Sequence, residues 1–149
     1  MAADLRFLTC VLKINNDLER IGDLATNIAK RAVKICKEPA LMMPDELSQS
    51  AIRARDMVHD SLNAFVSFDA GPAREVCRSD DEVDQFCKQV RRFVEEQITK
   101  NPASISGYLD MLLASRNIER IGDHATNIAE DVIYLVEGTI VRHRPDATL

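Results

Sequence analysis

The chemistry available to this sequence sits in two short acidic strips. Glu19, Asp23 and Asn27 stand at i, i+4 and i+8, and Glu119, Asp123 and Asn127 repeat them one hundred residues later. The surrounding letters repeat as well: Glu19 to Ala29 and Glu119 to Ala129 share ten of eleven residues, and only Leu24 becomes His124. Core packing does not demand such identity, because cores accept swaps among apolar residues of similar volume. At about 100° per residue each strip forms one helix stripe that drifts by about 40° per step. Two carboxylates at i, i+4 repel each other and weaken an isolated helix by about 0.2–0.5 kcal/mol. Hard divalent or trivalent cations recover that cost through carboxylate and amide oxygens. The competing account is surface pairing with Arg20, Arg116 or Arg120, which has little energetic consequence.

A third acidic run, Asp80-Asp81-Glu82-Val83-Asp84, supplies a possible partner. Asp80 interrupts the apolar series between Val76 and Val83, where an unpaired charge is costly to bury. Asp84 follows one turn later. A cation bridging Asp80 and Asp84 to Glu119 and Asp123 would account for both segments together; a solvated acidic face is the alternative. The histidines are weaker signals. Asp56 and His59 at i, i+3 read as surface, His124 as exposed or beside a metal rather than on it, and His143 lies in the tail. The sequence has no Gly-rich phosphate loop, no nucleophile elbow and no HExxH motif.

Helices must position these strips. Only five Gly and five Pro occur in 149 residues, aromatics are 5% and Trp is absent, which leaves little material for hairpins and points to an all-α protein. Apolar residues recur at helical spacing from Leu5 to Ile35 without a proline, so the first helix runs to about Lys37. Pro39 and Pro44 end it, with 38–44 as a linker. The second helix is expected over 45–68, with Leu47, Ala51, Ala54, Val58, Leu62 and Phe65 inward. Gly71-Pro72 reads as a turn, and the third helix then extends to about Lys100 with Val76, Val83, Cys87, Val90, Val94 and Ile98 inward. The fourth covers about 103–137 and ends at Gly138 as a C-cap, before a flexible tail over 138–149.

Short connections make 45–137 one antiparallel three-helix bundle, preceded by a long helix that has no bundle of its own. Gly22 and Gly122 each cost about 1 kcal/mol inside a helix. Flanked by Ala25, Thr26 and Ala29 and by Ala125, Thr126 and Ala129, they predict that the first and fourth helices approach closely through these positions, with a pseudo-twofold relation. The net charge of −5 argues against a general nucleic-acid surface and suits a collector of cations. Cys10, Cys36, Cys77 and Cys87 show no zinc-ligand spacing, and Cys10 and Cys36 are about 39 Å apart on one helix, so reduced thiols and a cytoplasmic location are expected. No run approaches the roughly 20 apolar residues of a membrane span.

The stretches Asp17-Leu-Glu-Arg-Ile-Gly-Asp-Leu-Ala-Thr-Asn-Ile-Ala29 and Arg116-Asn-Ile-Glu-Arg-Ile-Gly-Asp-His-Ala-Thr-Asn-Ile-Ala129 closely resemble the PhoU family of phosphate-transport regulators. The resemblance implies two three-helix bundles side by side, of which this chain looks like the last four of six helices. It implies multinuclear metal clusters, of iron or zinc or else magnesium or manganese, bound on acidic strips. Asp80 and Asp84 match the family's Asp-x3-Asp motif facing Glu119, Asp123 and Asn127. Glu19, Asp23 and Asn27 match the other strip but lack the two helices that would face them. The implied role is regulatory and non-enzymatic: a homo-oligomer that acts between the phosphate ABC transporter and its sensor histidine kinase, touching the cytoplasmic membrane face only through these partners. The competing functions are a metal-dependent hydrolase or redox enzyme, and a purely structural helical scaffold.

Overall fold

The computed structural model describes residues 2–38 and 41–138. It contains four long helices, α1 (Ala2–Ile35), α2 (Asp45–Ser67), α3 (Ala70–Lys100) and α4 (Ile105–Glu137), with one 3-10 turn over Pro102–Ser104 before α4. No strand occurs among the described residues. The expected flexible tail beyond Gly138, and His143 within it, lie outside them.

The punctuation follows local chemistry. Gly138 caps α4 at φ 73°, the left-handed conformation that glycine adopts without penalty. The turn between α2 and α3 is tighter than Gly71-Pro72 suggested. Phe68, at φ 52°, returns its N–H to the carbonyls of Ala64 and Phe65, and Asp69 caps α3 by accepting from the Gly71 N–H at 2.8 Å. Gly71 and Pro72 therefore fall inside the first turn of α3, where a missing N–H costs no helical bond. Phe7 stacks on Phe65 and Phe68 over this corner, at centroid separations of 6.0 Å to each.

Helices α2, α3 and α4 each pack against the other two. The expected α3 seam holds: Val76, Val83, Cys87, Val90 and Val94 are buried and Ile98 is partly so. On α2 the expected Leu47, Ala54, Val58, Leu62 and Phe65 pack against the core, but the centre of the buried face is rotated slightly from them. Ala51 is exposed, and Ser50, Ala54, Met57, Ser61 and Ala64 are buried. Serine fits there because Ser50 and Ser61 each donate to a carbonyl three residues back, at 2.8 Å, so no hydroxyl is left unsatisfied.

Helix α1 lies along α4. Its packed residues are Cys10, Ile14, Asp17, Ile21, Leu24, Ile28, Arg31 and Ile35, alternating steps of four and three as in a coiled-coil seam. The pairing is antiparallel. Lys13 bonds Asp131 at 2.7 Å, Asp17 bonds His124 at 2.7 Å, and Arg31 bonds Asp110 at 2.6 Å. Shifting each number by one hundred maps the layer of 10 with 131 onto that of 31 with 110, as the expected pseudo-twofold requires. The glycines do not mediate this contact. Gly22 is exposed with nothing near it, whereas Gly122 faces Asp80, Val83 and Met57 on α3 and α2. The heptad seam already brings the two helices together, so the small residues serve another interface.

Candidate metal centre

The second strip meets the acidic run of α3, as the spacing predicted. A Cβ built on Gly122 would stand 3.3 Å from an Asp80 carboxylate oxygen and 3.6 Å from Val83. Gly122 is therefore a notch that admits the Asp80 side chain against the α4 backbone. Burial pushes the Asp80 carboxyl from its ordinary 3.8 up to about 6, and Asp123, Asp84 and Asp81 push it the same way. Thr126 opposes them weakly from one turn along α4. Its own hydroxyl is buried without a partner at hydrogen-bond distance.

One turn further along α3, Asp84 is half-buried, with Lys88 at 3.8 Å. Cys87 lies between Asp84 and Glu119: burial raises its thiol pKa above all, and both carboxylates add to the rise. At the other end, burial pushes Cys77 up to about 11, with Glu130 the next cause and Asp80 after it. Glu130, Asp80, the exposed Asp123, Asp84 and Glu119 thus lie within electrostatic reach of their neighbours along the α3–α4 contact, here called the groove. Glu130 was missed in the sequence because it lies outside the Glu-x3-Asp-x3-Asn pattern; its place four residues after Thr126 was the available signal. Asn127 is half-buried on α4, one turn beyond Asp123.

The groove suits a hard cation in kind, since its donors are carboxylate oxygens with an unsatisfied hydroxyl beside them. The side chains are gathered without being closed: among the described residues no group of three Asp, Glu, His or Cys side chains has the geometry to hold one ion. Rotation of these short side chains would be needed to complete a coordination sphere.

The first strip is arranged differently. Glu19, Asp23 and Asn27 are all exposed, and no described element covers them. The histidines stand apart from the groove. His124 faces α1 and bonds Asp17, while His59 is exposed beside Asp60 and Asn63. The four cysteines are free thiols.

These features define an all-helical bundle protein with an internal duplication and an acidic groove at its second copy. The PhoU domain pattern matches residues 1–32 and 47–132, and the chain belongs to the PhoU family. It is 45% identical over 145 residues to a Pseudomonas putida protein named as a phosphate-specific transport system accessory protein PhoU homolog, covering 95% of this chain and 56% of that one. The crystal structure of PhoU from Pseudomonas aeruginosa superposes with a TM-score of 0.89 at 41% identity, over 93% of this chain and 67% of that one. The phosphate transport system regulatory protein PhoU from Streptococcus pneumoniae gives 0.86 at 27% identity, over 95% and 67%. The chain thus spans a little over half the length of the curated relatives it matches. The relatives' names describe accessory proteins, not enzymes. No helix among the described residues is long and apolar enough to cross a membrane.

Proposed function

We propose that this chain is a metal-binding regulatory protein of phosphate uptake and phosphate-starvation signalling, an adaptor between the phosphate ABC transporter and its sensor histidine kinase. The carboxylate groove between α3 and α4 carries the metal half of this reading. Asp80 is half-buried among Asp81, Asp84 and Asp123, an arrangement that costs folding energy unless a proton or a cation neutralises it. Asp80 and Asp84 from α3, with Glu119, Asp123 and Asn127 from α4, would hold the ion. When bound, it supplies positive charge that ties the two helices together. The strip of Glu19, Asp23 and Asn27 offers the same donors from one helix only.

The phosphate half is supported by the names of the relatives, accessory and regulatory proteins of phosphate transport. In this reading the chain works on the cytoplasmic face as a homo-oligomer and reaches the membrane through its partners. The test is elemental analysis of protein purified without chelator, beside the double variant Glu119→Ala, Asp123→Ala. Bound divalent or trivalent metal is expected in the parent and a loss of at least tenfold in the variant. Equal metal content in the two proteins would refute the assignment.

A further inference from the structure

The α3–α4 groove changes sign along its length. Beyond Asp84 and Glu119, α3 carries Lys88 one turn on and Arg91 two turns on, and the preceding turn of α4 carries Arg116. A cavity of about 330 Å³ opens there, lined by Cys87, Arg91, Leu112, Ser115, Arg116 and Glu119. That is room for roughly ten waters at about 30 Å³ each. Lys13, Arg31, Arg53, Arg74 and Arg78 all find a carboxylate elsewhere. Arg91 and Arg116 have no ion pair or hydrogen bond among the described residues.

Two guanidinium groups beside one cavity repel each other, and each presents a planar fork of donors that matches an oxyanion. The Cys87 thiol and the Ser115 carbonyl do not compete for that role, because they bond each other at 3.5 Å. Leu112 makes part of the wall apolar, while Arg91 and Arg116 are exposed residues that reach it from the surface. Glu119 is the single anionic group in the lining and would by itself repel an anion. A cation held by Glu119 and the neighbouring carboxylates would offset that repulsion.

We infer that the cavity between Arg91 and Arg116 binds a small tetrahedral oxyanion of the phosphate class, held by the two guanidiniums. The inference rests on the metal reading above for Glu119, and on the arginines and cavity for the rest. It also separates the two acidic strips. The position equivalent to Arg116 on α1 is Asn16, so the first strip has no such neighbour.

The experiment is isothermal titration of inorganic phosphate into the full chain loaded with manganese, with manganese content measured separately on every sample. Binding is expected in the parent. The variant Arg91→Ala, Arg116→Ala should lose more than tenfold in phosphate affinity while keeping its manganese and its helical circular dichroism. Arg91→Lys with Arg116→Lys should recover part of the affinity, because charge survives and the fork does not. Absence of phosphate binding to manganese-loaded parent would overturn the inference and leave the metal reading standing. Undiminished affinity in the folded double-alanine variant would overturn it equally. Arginine-dependent phosphate binding to parent that holds no manganese would uphold the anion site and show that it does not depend on a manganese ion in the groove. A phosphoserine peptide run in parallel distinguishes the source: binding of the peptide without the free ion would overturn the assignment to a free oxyanion.

Discussion

Ala125, Ala129 and Val132 on α4 are fully buried, while their equivalents Ala25, Ala29 and Ala32 on α1 are exposed. Tyr108 and Met111 are buried, and the equivalent Leu8 and Val11 are 59% and 37% exposed. Both helices spend one face on each other through a seam of similar type. They differ in the second face, which on α4 is covered by α2 and α3 and on α1 is not covered by any described element. A nearly identical peptide is therefore a bundle core in one place and an open surface in the other. The residues state what a face can do, and the neighbours decide whether it does it.

Paired substitutions at equivalent positions test this contrast. The largest difference is expected for glutamate in place of the third small residue. Ala129→Glu buries an unpaired charge and should cost more than about 3 kcal/mol in urea unfolding. Ala29→Glu should stay within about 0.5 kcal/mol. Equal costs would mean that the α1 face is covered in solution. Next comes the response to cation. At one hundred times its dissociation constant, manganese should stabilise the chain by about 2.7 kcal/mol. Glu119→Ala with Asp123→Ala should abolish that gain, and Glu19→Ala with Asp23→Ala should leave most of it. If the first-strip pair mattered as much, the two strips would be equal sites.

A smaller effect is expected for Asp80. Its carboxyl binds a proton more tightly when folded, at about 6 against 3.8, so stability falls as pH rises through that window. In chelator-treated protein at pH 7, Asp80→Asn should therefore be the more stable chain, by about 1 kcal/mol after allowing for solvent screening. The advantage should shrink when the pH is lowered to 5, as Asp80 takes up its proton. An advantage of the same size at both pH values would remove the carboxylate repulsion from the account. The smallest contrast lies in the glycines. Gly22→Ala meets open space and should stabilise by about 0.5–1 kcal/mol. Gly122→Ala should gain less than that or lose, because the new methyl crowds the Asp80 carboxylate at 3.3 Å. Thermal unfolding of both variants decides it.

The helices were legible because Pro and Gly are few and apolar residues keep helical period over long runs. The α3 seam was legible for the same reason. The α2 seam was legible in part: Leu47, Ala54, Val58, Leu62 and Phe65 pack as expected, but the buried face also includes Ser50 and Ser61, whose polarity hides a core position until the backbone carbonyls that satisfy them are seen. The role of Gly122 was misread because small residues signal a close approach without naming what approaches. Here it is a carboxylate side chain, and the α1–α4 contact runs through the heptad positions instead.

By itself the sequence determined the duplication, the all-helical architecture and the membership in a family, because these depend on residue identity and period along one chain. It also singled out the acidic letters at i, i+4 and i+8 on both helices. Only the tertiary structure decided how deeply Asp80 is buried against Gly122, where Glu130, Thr126, Arg91 and Arg116 fall around the second strip, and that His124 belongs to the α1 interface. Burial and electrostatic coupling depend on what stands across a groove, and no spacing within a single helix records that.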